Sequence, residues 1–256
     1  MNYEDYAALK RKIVPGLQFN QSIYEEMVSE SVSAQTVWLD AGCGRRILPL
    51  WREEAETALV RKVHLAVGCD IDTEAMRKHR TLGGLVAANL ERLPFKNESL
   101  SLITCNMVVE HLDRPHVVFT EFARVLKDGG RVVVHTPNIY SYFVLGSRFV
   151  PRRLKLKLAQ ALDSRVPDEV FPTLYRANTV KKLRAMMAQV GLREERCRML
   201  ASEAVFATTH PLLAAVELLY IRLTLRSTFK SLRVSILASF RKSGISLEGR
   251  LLHPAQ

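Results

Sequence analysis

Apolar residues in this chain change their spacing at about residue 36. Before it, residues 4–14 and 20–32 repeat apolar positions with a helical period and are broken at Pro15-Gly16. After it, short unbroken apolar runs alternate with helical patterns. TVWLDA (36–41), VHLAVGCD (63–70), GLVAANL (84–90), LSLITCN (100–106) and RVVVHT (131–136) predict five strands. Strands apolar at nearly every position are covered on both faces, so they predict a mostly parallel sheet between helical layers, a doubly wound α/β fold. A helix is predicted over 115–127: Pro115 suits its first turn, Val118, Phe122, Val125 and Leu126 share a face, and Asp128-Gly129-Gly130 stops it. Asn178 or Thr179 caps a further helix that ends at Gly191, and a strand follows over 192–200. In 231–242, Leu232, Val234, Ile236, Ala238 and Phe240 alternate with mostly polar neighbours, which predicts a seventh strand after a helix at about 211–228.

Residues 1–35 therefore read as N-terminal helices. Residues 36–242 read as one α/β domain with insertions at about 139–175 and 202–230, and 243–256 as a flexible tail. The N-terminus, MNYEDYAALK, is acidic and polar, unlike a signal or transit peptide. No uncharged apolar run approaches the roughly 20 residues that span a bilayer. Cys43, Cys69, Cys105 and Cys197 are scattered and fit reduced, buried thiols of a cytoplasmic protein better than a disulfide framework or a metal site.

Charge changes the picture only when divided. Residues 1–141 hold 17 Lys/Arg and 18 Asp/Glu, a net −1, whereas residues 142–242 hold 19 and 7, a net +12. The second part predicts an anionic partner, set against a merely solvated basic surface. Within it, 146–165 fits a basic amphipathic helix, and 211–230 is apolar with Arg222, Arg226 and Lys230 four apart. Together they predict a lid that lies on an anionic membrane surface, on the cytoplasmic side. The alternatives are a dimer interface, making the protein a homo-oligomer, ordinary core packing, and nucleic acid; the last is less favoured because the aromatic residues there sit in apolar settings.

In open parallel sheets ligands bind beyond the carboxyl ends of the strands. The first strand ends in VWLDAGCGRR, residues 37–46, where Gly42 and Gly44 allow a tight turn. A dinucleotide fingerprint would need glycine at Ile47, and Asp40 would repel a pyrophosphate. A cationic amino group fits better. Asp70, at the end of the second strand, suits a ribose diol, and Asp72 suits a helix cap.

VWLDAGCG, VGCDID, NLERLPFKNESLSLI, EHLDRP and EFARVLKDGGRVVVHTPN resemble, in order and spacing, the motifs of class I S-adenosylmethionine-dependent methyltransferases. The likeness is strongest to the broad family that also holds quinone and small-molecule O-methyltransferases. It covers 36–138 in detail and 178–242 loosely. It implies a Rossmann-like seven-stranded sheet of order 3-2-1-4-5-7-6 with the last strand antiparallel. It also implies that Asp40 and the backbone of Ala41, Gly42 and Gly44 hold the methionine part of S-adenosyl-L-methionine. Asp70 would bind the ribose, Ile71 would pack on the adenine, Asn89 and Leu90 would border it, and Asn106 would lie beneath the methionine. Arg46 departs from the pattern, standing where the family has its third turn glycine. Arg45 either pairs with the donor's carboxylate, or both arginines point to solvent from the following helix.

Methyl transfer relies mainly on alignment and exclusion of water, with help from a base when a hydroxyl is the nucleophile. His111, just past the fourth strand, is the candidate base, set against a packing role in its loop. Glu110 either orients His111 or ligates a metal, as the resembling quinone enzymes suggest, or serves as a cap or surface residue. His135, inside the fifth strand, reads as a satisfied core residue. The expected activity is methylation of a hydroxyl on a lipid-associated or glycan-pathway molecule. An RNA methyltransferase and a non-catalytic scaffold that kept the fold are the alternatives.

Overall fold

A computed structural model of the 256-residue chain describes residues 2–149, 171–202, 204 and 210–244. The strands are β1 (Val37–Ala41), β2 (Leu65–Asp70), β3 (Gly84–Ala87), β4 (Leu100–Asn106), β5 (Leu126–Pro137), β6 (Leu192–Leu200) and β7 (Ser235–Lys242). They form one sheet of order β3-β2-β1-β4-β5-β7-β6, parallel except for β7, which runs antiparallel to β5 and β6. The helices are α1 (Tyr3–Ile13), α2 (Asn20–Ser31), α3 (Glu53–Arg61), α4 (Thr73–Arg77), α5 (Pro115–Val125), α6 (Tyr142–Phe149), α7 (Val180–Gln189) and α8 (Pro211–Thr224).

Both faces of the sheet are buried, as the apolar runs require. Leu39, Ile103, Val132, Val134 and Ala238 pack with Phe119, Phe122 and Val125 of α5 and with Leu183 and Met187 of α7. On the other face Trp38, Leu102, Val133 and Leu237 pack with Tyr24, Met27 and Val28 of α2 and Leu59 of α3. The first thirty residues thus form part of the core, and α1 packs against α8. The edge strand β6 is dressed with ion pairs, Arg184–Glu194 and Arg131–Glu195–Arg241 among them, which discourages pairing with a further strand.

Several elements differ from their predicted extents, β5 among them, which begins at Leu126 rather than 131. The helix over 115–127 ends at Val125, because Leu126 is already extended and pairs with Leu100 of β4. The strand over 231–242 starts at Ser235, because residues 227–232 wind into a 3₁₀ turn. The strand over 84–90 stops at Ala87, where pairing with β2 ends at Asp70. Local signals hold elsewhere: Asp72 Oδ1 accepts from the Ala75 amide at 2.9 Å and caps α4, and Thr179 Oγ1 accepts from Lys182 at 3.1 Å and caps α7. Most of the predicted basic segment 146–165 lies outside the described residues.

Candidate active site

Beyond β1 the chain turns through Gly42 (φ +74°) and Gly44 (φ +48°), both in the left-handed region that glycine enters without strain. The two glycines do different work. A Cβ on Gly42 would lie 2.3 Å from a methyl of Val108, so this position holds the turn against the chain leaving β4. A Cβ on Gly44 would meet nothing within 4 Å, so this glycine borders open space at the strand ends. Gly42 and Cys43 donate to the Cys69 carbonyl at 2.7 and 3.2 Å, and Gly44 N donates to Asp70 Oδ2 at 2.8 Å. Asp70 Oδ1 accepts from the Asp72 amide at 2.9 Å. Each Asp70 oxygen keeps a further acceptor site, which suits a diol. Beside it Ile71 is 60% exposed and offers an apolar face.

Asp40 lies behind the turn, buried, where it accepts from Thr104 Oγ1 at 2.6 Å; Thr104 in turn accepts from the Trp38 indole at 2.7 Å. Burial raises its pKa to about 7 against the pull of the Thr104 hydrogen bond, and the charges of Glu56 and Asp70 push the same way. The two carboxylates therefore feel each other across one end of the sheet, an arrangement that an ammonium group relieves. A raised folded pKa makes Asp40's contribution to stability largest below its unfolded value near 4, and this contribution declines as pH climbs towards 7. A cationic ligand reverses that preference by selecting the carboxylate. Donor affinity is expected to rise with pH through about 7, with proton release that differs between calorimetry buffers of unequal ionisation heat. Asp40→Asn is expected to flatten that dependence; a wild-type affinity level from pH 6 to 8, a window of about one unit either side of that value, would refute the linkage.

The remaining predicted residues are distributed unevenly. Asn89 is exposed, its Oδ1 accepting from the Glu91 amide at 2.9 Å, while the Leu90 side chain joins the core. Ala41 is buried, so only its backbone faces the turn. Arg46 is exposed and does not belong to a helical first turn: residues 50–52 form a 3₁₀ turn and α3 begins at Glu53. The side chain of Asn106 belongs to a ring of hydrogen bonds. His135 Nδ1 donates to Asn106 Oδ1 at 2.8 Å, Ser235 Oγ donates to His135 Nε2 at 3.0 Å, and Asn20 Nδ2 donates to Ser235 at 3.3 Å. Asn106 Nδ2 donates to Gln21 at 3.2 Å. Burial lowers the pKa of His135 to about 4, so the ring is neutral and serves structure, as its place in a strand predicts.

Past β4 the chain passes Met107, left-handed at φ +58° and 42% exposed, and reaches Glu110 and His111 in a 3₁₀ turn. Glu110 is buried, and its Oε2 accepts from Thr136 Oγ1 at 2.9 Å. His111 is half-buried. Its Nδ1 lies 3.0 Å from the Pro172 carbonyl, which can only accept, so in the neutral ring Nδ1 carries the proton and Nε2 the lone pair. Nε2 lies 3.9 Å from Glu110 Oε1 and the ring stands edge-on to Phe171 at 6.1 Å. Leu174 and Tyr175 amides donate to the Glu110 carbonyl, fixing residues 171–175 as a strap over this turn. Among the described residues no cluster of His, Cys, Asp and Glu could hold a metal ion. Sequence reasoning missed Asn20, Gln21, Tyr24, Thr104 and the strap; the one visible signal was a threonine inside the otherwise apolar LSLITCN run.

Residues 39–134 match the family model described as Methyltransferase domain. The malonyl-[acyl-carrier protein] O-methyltransferase of Herminiimonas arsenicoxydans is 27% identical over 171 residues, 64% of this chain and 62% of that protein. The chain spans from about a fifth to about three-fifths of the length of the curated relatives it matches. An S-adenosylmethionine-dependent methyltransferase from Mesorhizobium loti shares the fold at TM-score 0.55 and 17% identity, with 86% of this chain and 96% of that one covered. The geranyl diphosphate C-methyltransferase of Streptomyces coelicolor A3(2), solved with Mg2+, geranyl diphosphate and S-adenosyl-L-homocysteine, does so at TM-score 0.53 and 14% identity, covering 86% and 77%.

Proposed function

We propose that this protein, which carries a methyltransferase domain at 39–134 on the class I S-adenosylmethionine-dependent fold, methylates a hydroxyl of an acceptor with an apolar portion, held at an anionic membrane surface. The observation that carries the acceptor class is an exposed apolar rim at the carboxyl ends of β4 and β5. Met107, Tyr140 (54% exposed), Phe143 (50% exposed), Phe171 and Leu174 are its exposed residues, with Phe171 edge-on to His111. Charged acceptors would gain nothing from that rim, whereas an apolar tail removes it from water.

The glycine turn, the Asp40–Asp70 pair and the exposed Ile71 fit S-adenosylmethionine, with Gly44 leaving room for it. Bound there, it supplies an electrophilic methyl on a sulfonium leaving group. His111 Nε2 accepts the proton of the acceptor hydroxyl. Glu110, 3.9 Å away, steadies the imidazolium that results. The rim excludes water as the acceptor seats. The oxygen acceptor is supported by the O-methyltransferase names of the relatives.

The membrane part rests on α8. Its inner face, Ala214, Leu218 and Ile221, packs with Tyr6 and Val14. Its outer face exposes Leu212, Val216, Leu219 and Leu223, and Arg222, Arg226 and Lys230 flank or follow it, also exposed. Because β7 pairs Ser235 with Pro137 at the end of β5, α8 and the rim occupy the same end of the sheet. No helix among the described residues is long and apolar enough to cross a membrane, so the contact is peripheral. With methyl-labelled donor and a membrane extract, label is expected in the organic phase, and the protein is expected to pellet with phosphatidylglycerol vesicles. A Leu212→Gln/Leu219→Gln variant should stay in the supernatant. Label entering RNA instead would replace the acceptor class, and failure to bind the donor would leave the fold without this reaction.

A further inference from the structure

Beside the donor crevice, the residues leaving the glycine turn and those leaving α4 close around a cavity of about 290 Å³. Among the described residues, Arg45, Arg46, Lys78 and Arg80 line it, with Glu53 and Glu56 as the acids. Glu56 is buried and its carboxylate is spoken for: Oε2 accepts from the Ile47 and Leu48 amides at 3.0 and 2.8 Å, and Oε1 accepts from Thr81. Four cations against two carboxylates leave a formal excess of two positive charges.

Three of these cations differ from several arginines elsewhere on the surface. Arg52 is paired with Glu25, Arg124 with Glu121, and Arg184 with Glu194. A larger cavity of about 430 Å³ at the start of α5 also holds arginines, but Arg114 is paired there with Glu91 and Arg176 with Asp113. The side chains of Arg46, Lys78 and Arg80 are exposed and make no ion pair or hydrogen bond among the described residues. Like charges gathered around one concavity raise one another's energy until an anion joins them. His79, a neighbour, has its pKa lowered by burial; Glu56 pulls the other way, and Arg46 adds a smaller push down. The segment charge hides all this, since residues 1–141 sum to −1.

We propose that this cavity is a binding site for a small phosphate-bearing molecule, separate from the donor crevice and independent of the acceptor. Guanidinium groups match phosphate oxygens in geometry as well as charge, and the space exceeds that of a single phosphate group, so a pyrophosphate or a phosphate ester fits.

The test titrates the full chain with inorganic pyrophosphate by calorimetry at constant ionic strength, in a buffer free of phosphate. Saturable binding is expected, weakened about tenfold for each arginine removed in Arg46→Gln and Arg80→Gln. Both side chains are exposed and make no bonds among the described residues, so the melting temperature of these variants should equal that of the wild type, and Glu53→Gln should tighten binding. Saturating S-adenosyl-L-homocysteine should leave the titration unchanged. Displacement by that compound would assign the cations to the donor crevice and overturn the proposal. Absent binding, or equal binding in the double variant, would overturn it too. A third arm uses phosphatidylglycerol vesicles: if Arg46 and Arg80 are needed for vesicles while pyrophosphate is silent, the patch meets headgroups and the small-molecule site is refuted.

Discussion

Gly42→Ala is expected to cost about 2–4 kcal/mol of stability, because it adds a methyl 2.3 Å from Val108 and forces a side chain into the left-handed region. Overpacking of this kind costs about 1–3 kcal/mol and the backbone about one more, which in a chain of this size lowers the melting temperature by about 5–15 °C. Gly44→Ala carries the backbone term alone, since its methyl meets nothing in the protein. It should fold nearly as well yet lose donor affinity, because the methyl enters the space assigned to the methionine part. The pair separates packing from binding two residues apart. Val108→Ala in the Gly42→Ala background removes the methyls that lie at 2.3 and 3.0 Å and should recover part of the loss, though the Val108 Cβ at 3.2 Å keeps the recovery incomplete. Thermal melts and donor titrations of the three variants check this. Equal stability of Gly42→Ala and wild type would show that the turn is not wedged against β4.

The second large effect concerns turnover. His111→Ala is expected to slow methyl transfer by about 10²–10⁴-fold, the range a positioned proton acceptor contributes, with donor affinity unchanged. The reason is specific: the Pro172 carbonyl selects the tautomer that leaves Nε2 free, beside the Glu110 carboxylate. His111→Gln, which keeps bulk and hydrogen bonding but accepts no proton, should behave like alanine in rate. Turnover within about twofold of wild type would mean that alignment alone suffices and that His111 only props the strap.

How much of this was legible in the sequence follows from the distance over which each contact acts. Asp72 and Thr179 cap the helices that start beside them, and Gly42 and Gly44 turn the chain where they stand, so short motifs revealed them. Asp70 was legible as the acid at the end of the second strand. The partner that sets the His111 tautomer lies 61 residues away, and Trp38 and Asp40 meet Thr104 across 66 and 64 residues. Such pairings follow from strand order, which periodicity does not encode. The basic cavity was hidden for another reason: its cations come from two short stretches whose acids point elsewhere, so any sum along the chain cancels them. The inward packing of the Leu90 side chain, assigned by resemblance to the adenine border, was likewise not visible in the sequence.

The polar ring around His135 begins and ends on one helix, since Gln21 and Asn20 are neighbours in α2 and the bonds between them pass through β4, β5 and β7. A clasp fastened twice to the same bar cannot be unhooked at one end without stranding buried polar atoms at the other. This flank of the crevice is accordingly a wall, held by α2 from outside the sheet.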